Sequence, residues 1–199
     1  MHLKILSHPV FMSLNFHMPM VVDLSHPLIM LAGENGTGKT TLLHSLYHAF
    51  RGEQIENYSY RIEVGSLDPK KIFLFDAEQH NPRKHLEFFA EQPETKEALQ
   101  IASHGQVMLA LFQQAFPTLP EGTVLLVDEP EMALSESNQR RILKMLMELV
   151  DKKKMRVIAA THSPILLGAP ETYVIDLDKY VNRNVIPQDM PPPGQSTIH

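Results

Sequence analysis

The run Gly33-Glu34-Asn35-Gly36-Thr37-Gly38-Lys39-Thr40-Thr41 packs three glycines, a lysine and three hydroxyls into nine residues. Glycines let successive backbone N–H groups turn inward and form an anion nest. The spacing Gly33-x4-Gly38-Lys39-Thr40 is that of a phosphate-binding loop, which requires a strand before it and a helix after it. Both are in place. Leu28-Ile29-Met30-Leu31-Ala32 reads as a short buried strand, and Leu42, Leu43, Leu46, Tyr47 and Phe50 form an apolar helical stripe. The positive end of that helix faces the same phosphates. Lys39 is expected to reach the β- and γ-phosphates of a nucleotide, and the Thr40 hydroxyl to ligate Mg²⁺. The run from Gly33 to Thr41 is the candidate nucleotide-binding segment.

A second chemical element lies at Val124-Leu125-Leu126-Val127-Asp128-Glu129-Pro130, an apolar strand ending in two acids. In an open parallel sheet, ligands bind beyond the carboxyl ends of the strands. Asp128 is therefore expected to face the Mg²⁺ held by Thr40, directly or through water. Glu129 points elsewhere and can accept a hydrogen bond from water attacking the γ-phosphorus.

The elements that must position these groups alternate between strand and helix, which implies an α/β architecture. Residues 2–7 and 18–24 read as two N-terminal strands, and 72–76, 124–127, 156–160 and 172–176 as further strands. Residues 105–116 and 137–150 read as amphipathic or apolar helices, and 80–96 as loop and short helix. Lys152, Lys153 and Lys154 follow the second helix, where cations suit its dipole. The boundaries predict one domain over 1–182, a reduced helical insertion at about 77–120, and a flexible Pro-rich tail over 183–199.

Composition narrows the class. The chain has 199 residues, 43% hydrophobic and 21% charged, enough apolar material for a core. Its net charge of −5 argues against coating nucleic acid by bulk charge. The absence of cysteine removes disulfides, thiolate metal sites and cysteine nucleophiles. No secretory signal and no apolar run of about 20 residues is present, so no membrane contact by this chain and a cytoplasmic location are expected. His44 and His48 are spaced one helical turn apart, but with no third ligand in view they read as surface histidines. Met145 and Met147 read as core filling. Phe11 and Phe16 each fit an adenine-stacking role or the core.

The order of the motifs resembles the ABC-type ATPase class. Gln79 lies 40 residues after Lys39, just past the 72–76 strand; Ser103-His104-Gly105-Gln106 resembles the serine-glycine signature; Ala133-Leu134-Ser135 takes the place of the dimer-contacting loop. Thr161-His162-Ser163 follows an apolar strand, with His162 34 residues after Asp128, and resembles the histidine switch. The resemblance implies a P-loop NTPase fold with a mostly parallel central sheet and N-terminal antiparallel strands. It implies ATP and Mg²⁺ as ligands, Glu129, His162 and Gln79 as catalytic residues, and Thr40, Asp128 and Gln79 around the metal. Ser103 and Gly105 would meet the γ-phosphate held by a second subunit, so a head-to-tail homodimer or hetero-oligomer is implied.

Three departures from transporter subunits point to a soluble, non-transporter branch that includes SMC- and RecF-like ATPases and small overcoming-lysogenization-defect-like ATPases. His104 replaces a signature glycine, Glu131 follows Glu129-Pro130, and Ser163-Pro164 follows His162. The 24-residue interval from Gln79 to Ser103 is short for a subdomain that grips a membrane partner. On this resemblance the chain would be an ATPase head that signals to an effector or partner chain, in DNA repair or anti-phage defence. The alternatives are the energy subunit of an ABC transporter and a low-turnover ATP-dependent switch. Nucleic-acid binding stays open.

Overall fold

The computed structural model describes residues 2–7, 16–17, 19–53, 61–63, 67–76, 105, 109, 112–113 and 116–180. Its elements are β1 (His2–Ser7), β2 (Met20–Asp23), β3 (Leu28–Ala32), α1 (Lys39–Arg51), β4 (Arg61–Glu63), β5 (Ile72–Asp76), β6 (Val124–Asp128), α2 (Glu136–Lys153), β7 (Arg156–Ala160), α3 (Pro164–Leu167) and β8 (Tyr173–Asp176).

Five strands form a parallel sheet in the order β5-β6-β7-β3-β8. Their near-continuous apolar sequences follow from burial on both faces. Side chains alternate between the faces along each strand. Ile29, Leu31, Leu126, Ile158 and Ala160 pack with Leu42, Leu43, Leu46 and Phe50 of α1. Leu28, Met30, Leu125, Val127, Val157 and Ala159 pack with Ile142, Leu146 and Leu149 of α2. Phe75, Phe112 and Phe116 close the second cluster edge-to-face, with centroids 4.4 to 5.4 Å apart.

The smaller sheet is antiparallel, in the order β2-β1-β4. Its third strand, β4, is three residues long and was not evident in the sequence, because so short a segment shows no period. The parallel strands and α1 fall where the sequence placed them. Helix α2 is longer than its expected span by one residue at the start and three at the end, and it runs into Lys152 and Lys153. Gly105, Leu109, Phe112 and Gln113 are helical, within the expected 105–116 helix. Residues 77–104 of the expected insertion, and the tail, lie outside the described residues. Phe16 is buried in the α1-side core, which favours its core role over adenine stacking; Phe11 lies outside the described residues. Met145 and Met147 pack against the α2-side core, as expected. Among the described residues no helix is long and apolar enough to cross a membrane.

Candidate nucleotide and cation site

β3 delivers the chain into the loop Gly33–Gly38, and α1 begins at Lys39. Gly38 caps α1 at φ +85°, a left-handed conformation that favours glycine. The loop is closed on itself: the Thr37 amide and hydroxyl both donate to the Glu34 carbonyl, at 3.3 and 2.8 Å. The Lys39 ammonium donates to the carbonyls of Gly33 and Glu34, both at 2.9 Å. Burial lowers the pKa of Lys39, while the acids Glu129, Asp178, Asp128 and Glu131 act in the opposite sense. The Glu34 amide donates to Asp178 Oδ2 at 3.1 Å, which ties the loop to the turn after β8.

The acidic strand end meets this loop directly. The Thr40 hydroxyl donates to Asp128 Oδ1 at 3.2 Å. Asp128 is only 6% exposed. Burial pushes its carboxyl up to about 6; the Thr40 bond opposes this, while Asp76, Glu129 and Glu131 add to it. Asp76, at the end of β5, pairs in register with Asp128 and is also buried. His44, one turn along α1 from Thr40, brings Nε2 to 3.8 Å from Asp76 Oδ2. His44 is half-buried rather than a plain surface histidine, because its partner comes from a strand 32 residues away. His48 instead meets Glu53 at 3.1 Å. Thr40 and Asp128 supply oxygen donors of the kind Mg²⁺ prefers, so the residues present fit that ion.

Beyond β6 the chain turns sharply. Glu129 adopts φ +46°, and its amide donates to the Ala160 carbonyl at 2.9 Å. Within the turn, the Met132 amide donates to the Glu129 carbonyl, and the Leu134 amide to the Glu131 carbonyl. Glu131 reaches across to the end of β7, where its Oε1 accepts the His162 amide at 2.6 Å. The His162 side chain is exposed. Ser163 donates through Oγ to Gln139 Oε1 at 2.6 Å, and Gln139 Nε2 donates to the Leu134 carbonyl at 3.0 Å. The histidine segment is thus bound to the acidic turn by two separate links.

Gly105 is buried, and a Cβ there would lie 2.6 Å from the Ala133 carbonyl oxygen. A glycine at this position is required by packing inside the chain, whatever it does toward a second subunit. Gln79 and Ser103 lie outside the described residues. The structure therefore brings together Lys39, Thr40, Asp128 and the turn carrying Glu129, with the His162 segment tethered beside them.

A family described as "AAA domain, putative AbiEii toxin, Type IV TA system" matches residues 88–168. The Molybdate import ATP-binding protein MolC of Haemophilus influenzae is 29% identical over 181 residues, covering 78% of this chain and 67% of that protein. Among solved structures, a "Putative ABC transporter (ATP-binding protein)" from Pyrococcus furiosus superposes with a TM-score of 0.56 at 17% identity, covering 92% of this chain and all of that one. The ATP-binding cassette MJ0796, solved as a dimer in a post-hydrolysis state bound to ADP and Pi, gives 0.54 at 15% identity, covering 91% and 97%.

This is the fold of an ABC-type ATPase. The mostly parallel sheet, the N-terminal antiparallel strands and the loop between β3 and α1 all agree with the expectation. The sequence reading of the candidate site missed Asp76, Glu131 as a tether, Gln139 and Asp178. A signal existed for Asp76: Ile72–Asp76 and Val124–Asp128 are both five-residue apolar strands ending in aspartate. Nothing local marks Gln139 or Asp178, whose roles come from chain segments 24 and 144 residues away.

Proposed function

We propose that the chain binds Mg·ATP and hydrolyses it to ADP and phosphate as a head-to-tail dimer. The contact between the Thr40 hydroxyl and Asp128 carries this reading, because it joins a phosphate loop to an acidic strand end across 88 residues. Lys39 would exchange the Gly33 and Glu34 carbonyls for the β- and γ-phosphate oxygens, which are stronger partners for an ammonium group. Mg²⁺ held by Thr40 and Asp128 would offset phosphate charge. Glu129 orients water toward the γ-phosphorus; the water oxygen bonds to phosphorus as the bond to the β–γ bridging oxygen breaks, and ADP departs. His162, with its backbone pinned by Glu131, and Gln79 complete the site. Ser103 and Gly105 are assigned to the partner's nucleotide.

The useful output would be a conformational signal to a partner chain, in DNA repair or anti-phage defence, a setting that rests on the motif resemblance alone. A second reading, the energy subunit of an importer, is favoured by the match to MolC. Co-purification with a membrane protein would select it.

Phosphate release and nucleotide binding by wild type and by Glu129→Gln test the enzyme reading. Turnover is expected to fall by roughly a hundredfold or more while ATP binding survives. Equal, negligible release by both proteins, with ATP still bound, would reduce the chain to a switch. Unchanged ATP affinity in Lys39→Ala would remove the phosphate-loop assignment itself.

A further inference from the structure

Two successive turns of α1 address two adjacent strand ends. Thr40 lies over Asp128, and His44, four residues on, lies over Asp76. The match is geometric: one helical turn advances about 5.4 Å, close to the spacing of about 4.8 Å between neighbouring strands. The result is a mixed nitrogen and oxygen cluster. One ligand atom each from His44, Asp76 and Asp128 lies within 4.8 Å of the other two. Bonds of about 2.0 to 2.2 Å to a central tetrahedral ion require separations of about 3.3 to 3.6 Å, so the ligand atoms must close in by up to about 1.5 Å through side-chain rotation.

Charge points the same way. Asp76 and Asp128 are 7% and 6% exposed and sit side by side in register, so two carboxylates are withdrawn from water next to one another. Such groups are held best by a cation. The His44 Nε2 atom is itself buried and faces the carboxylates. An imidazole nitrogen with two carboxylates suits zinc-like ions, whereas Mg²⁺ favours oxygen and water.

We propose that His44, Asp76 and Asp128 form a site for a borderline transition-metal cation, with Zn²⁺ the matching probe, distinct from the Mg²⁺ that accompanies nucleotide at Thr40. The two sites share Asp128. The consequence that Zn²⁺ and Mg·ATP compete rests on the ATPase reading; metal binding itself does not.

The test titrates Zn²⁺ into the nucleotide-free full chain against a chromophoric chelator, comparing wild type with His44→Ala, His44→Gln and Asp76→Asn. The chain has 11 histidines, so the readout is the difference between proteins. One equivalent of Zn²⁺ is expected to weaken by at least about tenfold in each variant, and Co²⁺ in its place to give visible absorption in wild type that His44→Ala loses. Circular dichroism confirms folding, and if Asp76→Asn fails to fold the two His44 variants decide. Equal Zn²⁺ affinity and stoichiometry in wild type and both His44 variants would overturn the site. Mg·ATP binding in zinc-free buffer is measured alongside. Its absence from wild type with the zinc difference intact would sink the ATPase reading alone, and the reverse pattern would sink the metal site alone.

Discussion

Four acids gather at and just beyond the carboxyl ends of β5 and β6, and they fall into two pairs held in different ways. Asp76 and Asp128 end adjacent strands, in register and buried. Glu129 and Glu131 stand one and three residues past the strand, half-buried on a tight turn. The sheet ladder sets the first pair, so their spacing is that of the strands themselves. The turn sets the second pair: Glu129 takes a left-handed backbone, and Glu131 crosses to the His162 amide. Strand ends supply a rigid place for positive charge. The turn supplies reach, toward water on one side and toward the histidine segment on the other.

The sharpest way to break this contrast is Asp128→Asn. Phosphate release is expected to fall by at least about a hundredfold. The metal-free protein should nevertheless melt a few degrees higher at pH 7.5, since a buried carboxylate no longer has to ionise. Glu129→Gln should lose turnover without that gain. A lower melting temperature for Asp128→Asn, measured by calorimetry, would erase the distinction between the pairs.

Glu131→Ala is expected to act more gently. Removing the acceptor of the His162 amide should lower turnover about tenfold with ATP affinity little changed, because the histidine would be less well placed. Glu131→Gln keeps a carbonyl for that amide and should recover most of the loss. Steady-state kinetics on both variants separates tethering from charge.

The smallest effect is on pH dependence. The Asp128 carboxyl titrates near 6 in the folded metal-free protein, against 3.8 for the unpaired group. The native state therefore holds this proton more tightly than the unfolded chain does. Its stabilising contribution is fully present below about pH 4 and is lost as pH rises toward about 6, with a slope of at most about 1.4 kcal/mol per pH unit. Urea unfolding between pH 4 and 7 should show this slope in wild type and a flatter one in Asp128→Asn. Parallel curves would mean that the strand-end pair carries no such burden.

The phosphate loop and the acidic strand were legible because both are local. Glycine spacing, a lysine at a helix start and an apolar run ending in aspartate act within a dozen residues. The alternating burial on two faces was equally legible as continuous apolar strands. His44 was misread because its partners are distant: nothing near it on the chain announces Asp76. Asp76 itself repeats the ending of β6, yet it gains meaning only where β5 lies beside β6.

By itself, then, the chain of residues determined the α/β class, the loop at Gly33–Thr41 and the acids at Asp128 and Glu129, since each rests on short-range spacing. Only tertiary structure decided that Asp76 stands next to Asp128, that His44 faces both, and that Glu131 grips the segment of His162. Those contacts depend on which strands become neighbours. That order is chosen by how both sheet faces bury their side chains against α1 and α2, a property of the whole packed core and of no single segment.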